Sequence, residues 1–309
     1  MIVTVTPNTG IDQTLFIPSF HLNRTIRASE SHLGMGGKGA SVSWILGRWG
    51  VPNLALGFAA GCIGEQMDAM LRDRGVETDF TWVDGSTRWN PHIVCSDGSG
   101  QTTITTASLD VSSEHVETFQ KKFQAVLPKT SCLVLSGTLP INVPLNFYPD
   151  LIQKAKENHV PVILDSSGPF LRSGLEARPT LIKPNRPELE ELCGESASSQ
   201  EDVFRLASLL QEKYAVNVIV TLGKDGAFAL IGSDRYRIPA IPVQPVSTAG
   251  AGDAVIAGMA AALSQKLPPE EGLRLSFGLA TASLLTPATG DFRPADAQSF
   301  LSQVLVLKL

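Results

Sequence analysis

From residue 110 onward, short apolar runs alternate with helical stripes, and this alternation admits few architectures. Val116, Phe119, Phe123 and Val126 recur at the spacing of one helix face, and Cys132–Leu135 is a run suited to a buried strand. Leu145, Tyr148, Leu151, Ile152 and Ala155 give a second stripe, followed by the apolar run Val160–Leu164. Leu206, Leu209 and Leu210 lie on a further helix, and Val216–Thr221 is the next strand. Strands that alternate with helices build βαβ units, hence an α/β fold with a mostly parallel sheet covered on both faces. Such sheets take ligands at the carboxyl ends of their strands. With 43% hydrophobic residues, the 309-residue chain can fill the large core that such a sheet needs.

Two stretches break the rhythm. Residues 10–34 and 81–109 alternate polar and apolar positions without helical stripes. Strands are expected at Asp12–Ile17, Arg24–Ser31, Trp89–Cys95 and Gln101–Ala107, the last two joined by the turn Asp97–Gly100. Four such strands, antiparallel in pattern, would form a small sheet lying as a lid over the carboxyl edge of the main one. No Pro/Gly/Ser linker divides the chain, so residues 1–309 read as a single domain whose lid comes from 10–34 and 81–109.

Bulk properties exclude several classes. A formal charge of −5, with no Lys/Arg block, gives no reason to expect nucleic acid or an anionic membrane as partner. The start MIVTVTPNTGID lacks a basic segment and a long apolar segment, and no window reaches the ~20 apolar residues of a membrane span. Four scattered cysteines, at 62, 95, 132 and 193, make no CxxC pair and no zinc spacing. A cytoplasmic protein with reduced thiols is the expectation.

Two glycine-rich stretches carry the chemistry. Gly34–Gly39 matches GxGxxG, but no buried strand precedes it and no acid follows at the distance that holds a ribose. It also fails the Walker A pattern, because His32 and Gly39 stand where Gly and Ser/Thr are needed. It reads as a flexible loop that opens a helix with Val42, Ile45, Leu46 and Trp49 on one face. The second stretch, Gly250-Ala251-Gly252-Asp253, opens a helix through Val255, Ile256, Met259 and Leu263. A helix N-terminus presents free N–H groups and partial positive charge, and glycines let that backbone approach a phosphate. Asp253 could simply cap the helix, but a cap does not require Gly-Ala-Gly before it. A carboxylate beside an amide-bound phosphoryl group is placed to take the proton of an attacking hydroxyl.

Several motifs then occur in the order found in one known family. Thr6-Pro7-Asn8, Asp12, Asn23-Arg24, Gly36-Gly37-Lys38-Gly39, Thr87-Arg88-Trp89-Asn90, Ser136-Gly137-Thr138-Leu139-Pro140, Lys183-Pro184-Asn185 with Glu188-Leu189, Thr221-Leu222-Gly223 with Gly226-Ala227, and Gly250-Ala251-Gly252-Asp253 with Gly258 span nearly the whole chain. Together they resemble the ribokinase-like, or PfkB, carbohydrate kinases, within them the phosphofructokinase and tagatose-6-phosphate kinase branch. The resemblance implies a three-layer α/β/α sandwich with a β-sheet lid, and ATP-dependent phosphorylation of a sugar or sugar-phosphate hydroxyl.

In that family's terms, Asp253 would be the general base and Gly250, Ala251 and Gly252 the anion hole. Asp12, Gly36, Gly37, Lys38, Ser41 and Ser136 would hold the sugar. Arg88 and Asn90 would reach a phosphate already on it. Lys183, Asn185, Thr221, Gly223 and Gly226, with Gly250 and Gly252, would bind ATP, and Asn185 and Glu188 would hold Mg²⁺. Lids of this family pair, which implies a homodimer.

Other readings remain for single residues. Asp12 could be a turn acid, Arg88 a surface residue, Asn185 and Glu188 a helix cap, and Thr221–Gly223 a plain strand exit. Ser41 stands where the branch usually carries an asparagine, and Thr102–Ser108 lacks the branch's acids. The acceptor is therefore open among fructose 1-phosphate, fructose 6-phosphate, tagatose 6-phosphate and an unphosphorylated sugar or nucleoside. A non-catalytic nucleotide- or sugar-binding protein is a further alternative.

Overall fold

The structure, a computed structural model, describes residues 1–309. Parallel strands form the centre of an 11-stranded sheet, in the order Asn217–Thr221, Leu181–Ile182, Val162–Asp165, Cys132–Ser136, Ile2–Thr6, Asn53–Ala59 and Glu77–Thr78. Thr81–Trp82 also runs along Asn53–Ala59, and Ala227–Ile231, Asp234–Ile238 and Leu307–Lys308 extend the far edge antiparallel.

Period-two alternation splits each strand between two cores. Val3, Leu133, Leu135, Leu164 and Val218 face the helices Ser113–Val126, Phe147–Glu157 and Gln200–Tyr214. Ile2, Cys132, Val134, Ile163 and Ile219 face Lys38–Arg48, Ala251–Gln265 and Pro269–Ser283 on the other side. This is the three-layer α/β/α arrangement expected. None of these helices is long and apolar enough to cross a membrane.

The lid is a separate sheet of four strands, in the order Glu30–Gly36, Gly10–Ile17, Arg88–Cys95 and Gln101–Thr103. It departs from expectation in three ways, each with a physical reason. The second strand is not Arg24–Ser31 but Glu30–Gly36, which runs directly into the first helix. Its glycines mark close approach rather than a loop: a Cβ at Gly34 would lie 2.6 Å from Thr289 N, and one at Gly36 would lie 2.6 Å from Asp12 Oδ1.

The central pair, Gly10–Ile17 with Arg88–Cys95, is parallel rather than antiparallel. Both segments leave the same carboxyl edge of the main sheet, one after Ile2–Thr6 and the other after Thr81–Trp82, so they run in one direction. Finally, Gln101–Ala107 stops pairing at Thr103. Ile104 N–H still donates to Pro91 O, but Pro91 has no N–H to return the bond, and the ladder ends there.

The helix Ala251–Gln265 packs along Pro269–Ser283 so closely that a Cβ at Gly258 would lie 2.4 Å from Ser276 Cα. Gly258→Ala gains ~1 kcal/mol of helix propensity but forces overpacking worth ~1–3 kcal/mol. We expect the overpacking to win, with a melting temperature lower by a few degrees in a thermal unfolding scan. An unchanged or higher value would show that the two helices can slide apart freely.

Candidate active site

Gly250 caps the helix Ala251–Gln265 with φ 83°, and no side chain caps its amides. The first backbone bond of the helix runs from Ala254 N–H to Gly250 O, so the amides of Ala251, Gly252 and Asp253 precede the ladder. A Cβ at residue 250 would lie 2.4 Å from Gly290 N, so only glycine permits both the backbone angle and the contact. The result is a cup of free donors at the positive end of a long helix.

Asp253 sits in the first turn and is buried. Burial pushes its pKa up to about 7, and the nearby Asp165 carboxylate adds to the rise, while Lys38, Ser41 and Lys183 restrain it. The buried Ser41 hydroxyl lies beside it, although Oγ meets no partner at full hydrogen-bond geometry.

Beneath this helix, charges from four elements converge. Asp165 ends the strand Val162–Asp165, and its Oδ1 is 3.5 Å from both Lys38 Nζ and Lys183 Nζ. Lys38 Nζ also lies 3.8 Å from Glu188 Oε1. The pKa of Lys38 is raised, first by Asp165 and then by Glu188 and Asp253, against the cost of burial. A Cβ at Gly252 would lie 3.3 Å from Lys183 Nζ, so this lysine stands directly against the cup. Asp165 Oδ2 is buried and has no partner.

Ser136 Oγ donates to Asp165 O at 3.0 Å and is fully buried. Asn185 and Glu188 cap the helix Arg186–Cys193 reciprocally: Asn185 Oδ1 accepts from Glu188 N–H and Glu188 Oε2 accepts from Asn185 N–H, each at 2.9 Å. The cap reading of this pair is therefore correct for both side chains, and Glu188 Oε1 is the atom left facing Lys38.

On the lid side, Asn90 Nδ2 donates to Asp12 Oδ1 at 3.0 Å. Burial raises the Asp12 pKa, which Asn90, Thr289 and the Arg88 charge oppose. Asp12 is thus no simple turn acid; it lies within a strand, beside Thr289. Arg88 is not a loose surface residue: Nε donates to Thr9 O at 3.2 Å, and Nη2 donates to Asn8 O. Gly37 caps the first helix at φ 82°, and Gly36 packs on Asp12.

The structure therefore brings together Asp253, Gly250–Gly252, Lys38, Ser41, Lys183 and Glu188, and it ties Asp12, Asn90, Arg88 and Gly36 into a facing lid surface. Thr221, Gly223 and Gly226 form a turn after the strand Asn217–Thr221, closed by Leu222 N–H to Gly226 O. They make no hydrogen bond to the Asp253 cluster; Thr221 reaches it only through a bridge to Asn185.

Sequence reasoning missed Asp165, Thr289 and Gly290. For Asp165 a signal existed: an acid at the carboxyl end of a buried parallel strand, where α/β sheets hold ligands. Buried polar atoms without partners gather here too, on Thr6, Asn8, Ser41, Asp165 and Thr289. In native folds such atoms usually find a ligand, ion or water.

Residues 8–296 match the pfkB family of carbohydrate kinases. The 1-phosphofructokinase of Bacillus subtilis is 34% identical over 311 residues, covering 100% of both chains. The 1-phosphofructokinase of Borreliella burgdorferi is 32% identical, covering 99% of this chain and 98% of its own. Phosphofructokinase-2 of Escherichia coli, solved with substrates and products, superposes with a TM-score of 0.91 over 98% of each chain at 24% identity, a likeness of fold. The architecture is the ribokinase-like one that the motif order implied. This chain belongs to the pfkB family and is an ATP-dependent carbohydrate kinase.

Proposed function

We propose that the enzyme transfers the γ-phosphoryl group of ATP to a free hydroxyl of a phosphorylated ketohexose, with fructose 1-phosphate as the preferred acceptor. One observation carries the mechanism: a buried carboxylate with a pKa of about 7 follows directly on an uncapped Gly-Ala-Gly cup. The choice of acceptor is supported by full-length relatives that are 1-phosphofructokinases.

In this reading, the amides of Gly250, Ala251 and Gly252 hold the oxygens of the migrating phosphoryl group. Lys183, against Gly252, and Lys38 offset the charge that gathers there. The acceptor hydroxyl attacks phosphorus as its proton passes to the Asp253 carboxylate, and the bond from the γ-phosphorus to ADP breaks. A base poised near neutral pH suits this task, because it is ionised often enough to accept and basic enough to pull.

Asp12, held by Asn90, bonds sugar hydroxyls together with Gly36 and Gly37, whereas Ser136, expected to touch the sugar, is fully buried and spends its hydroxyl on Asp165 O. Ser41 closes the pocket behind the base. Arg88 uses Nε and Nη2 on backbone carbonyls, which leaves Nη1 to meet the phosphate already on the sugar. Thr221, Gly223 and Gly226 carry the nucleotide's remaining phosphates.

The donor set fits Mg²⁺. Asp165 Oδ2 and Glu188 Oε1 are hard oxygens without a close partner, and Asn185 orients Glu188 rather than ligating. Mg²⁺ bound with ATP would neutralise polyphosphate charge, keeping water and phosphate oxygens for most of its shell. The outer lid, where Leu22, Leu33 and Ile104 are exposed, is the surface on which two copies would pair.

An ATP-consumption screen over fructose 1-phosphate, fructose 6-phosphate, tagatose 6-phosphate, free ketoses and nucleosides tests the acceptor. We expect fructose 1-phosphate to exceed free fructose in kcat/KM by ~100-fold, the worth of charge-assisted hydrogen bonds to its phosphate. A free sugar or nucleoside as the best acceptor would overturn this choice.

Asp253→Asn should fold normally and lose ~10²–10⁴ in kcat. In the wild type, kcat/KM should rise with pH through about 7, because the base works only when deprotonated, and the variant should lose that limb. A variant within a few-fold of wild type removes Asp253 from the role. Light scattering should give twice the chain mass of 33.0 kDa, and Leu22→Asp with Leu33→Asp should halve it. A dimer that survives both changes pairs elsewhere.

A further inference from the structure

One buried titratable side chain in the lid has no part in the scheme above. His92 is 5% exposed; its Nδ1 is 2.7 Å from Thr103 Oγ1, and its Nε2 has no partner. Beside it, in register across the parallel pair, stands Thr14, fully buried and with Oγ1 also unpartnered. The next side chain across, His32, is engaged with Glu30. Two buried polar groups without partners, side by side, are uncommon in a folded protein unless something else satisfies them.

The side of the lid on which they lie follows from alternation. Asp12, Thr14, Gly34, Asn90, His92 and Gln101 share one face by register. That face looks into the active site, because Gly34 abuts the Thr289 backbone and Gln101 Oε1 accepts from Thr248 Oγ1 at 3.2 Å, just ahead of the amide cup. Along Arg88–Cys95, His92 therefore falls between Asn90, which holds Asp12, and the end that meets the Thr248 loop.

We infer that His92 and Thr14 are a pair of hydrogen-bond donors for a phosphate oxygen of the bound substrates, and that the Thr103 hydroxyl orients the imidazole for it. With Thr103 donating to Nδ1, the ring hydrogen stands on Nε2; a protonated ring donates from Nε2 as well. The Thr14 hydroxyl supplies the second donor. Neither donor is hydrogen-bonded to an acceptor, although the Asp12 carboxylate on the same face feels the His92 charge; an anionic oxygen satisfies both donors, in a cleft where Lys38, Lys183 and Arg88 supply cations. The phosphate oxygen belongs either to the sugar phosphate or to ATP. The inference deepens the kinase reading above and rests on it for the identity of these substrates.

The test uses the full chain labelled with ¹⁵N-histidine, with His92→Gln assigning the His92 signals. Fructose 1-phosphate, the non-hydrolysable ATP analogue AMP-PNP with Mg²⁺, and free fructose are added in turn. We expect the His92 signal to move with one phosphorylated ligand and not with free fructose. In kinetics, His92→Ala and Thr14→Val should each raise KM about 10-fold for that same substrate, with kcat changed far less.

His92→Gln, which keeps a donor, should recover part of the loss, and thermal unfolding of each variant separates binding from folding. A KM rise for fructose 1-phosphate assigns the oxygen to the sugar phosphate, and a rise for ATP assigns it to the nucleotide. If both KM values stay within about twofold in folded variants, or the His92 signal is unmoved by every ligand, the pair is structural and the inference falls. A wild type that turns over no phosphorylated sugar sinks the kinase reading instead, while the His92 signal still decides the donor pair.

Discussion

The carboxylate of Asp165 holds the active site in register. It ends a fully buried strand, so the main sheet fixes its position, and it draws Lys38 from the first helix and Lys183, just past the neighbouring strand Leu181–Ile182, to the same oxygen. Each lysine in turn has a second task, Lys38 beside Glu188 and Lys183 beneath Gly252. Removing the anion would leave the buried Lys183 cation without its partner and facing the half-buried Lys38, a larger penalty than one pair's own attraction would suggest. The same carboxylate raises the Asp253 pKa, so the geometry that gathers the cations also keeps Asp253 from becoming a strong acid.

Close backbone contact makes the other half of the site. The lid rests on the 289–290 loop at Gly34, and that loop in turn supports Gly250 through Gly290. Asp12 on the lid and Ser41 on the first helix lie against the same short loop. The groups to which the proposed reaction assigns the sugar, the proton and the phosphoryl group thus share one support of two residues. Arg74, at 2.9 Å from Asp291, fastens the end of that support to the outer helix layer.

Much of this was legible in the sequence because the relevant signals are local. Alternating apolar runs gave the three layers, and Gly250–Asp253 gave the cup and its acid without any partner being known. Gly34-Met35-Gly36 misled, since glycines chosen for close approach look like a loop when the approaching surfaces, Thr289 at Gly34 and Asp12 at Gly36, are distant in the chain. Asp165 was hidden at the end of an apolar run, where its importance depends on two lysines from other elements. The direction of the lid strands was also hidden, because alternation shows which face a residue occupies but not which way its neighbour runs. Asn185 and Glu188 carried two readings; the capping one holds, and it leaves Glu188 Oε1 turned toward Lys38.

Parallel pairing of Gly10–Ile17 with Arg88–Cys95 has a consequence for dissection and engineering. No contiguous piece of the gene encodes the lid: an entire helix–strand–helix–strand portion of the main body is threaded between its two halves. The lid can be neither expressed alone nor swapped as a cassette. Any chimera that trades acceptor preference between relatives must graft two segments at once and keep their mutual register.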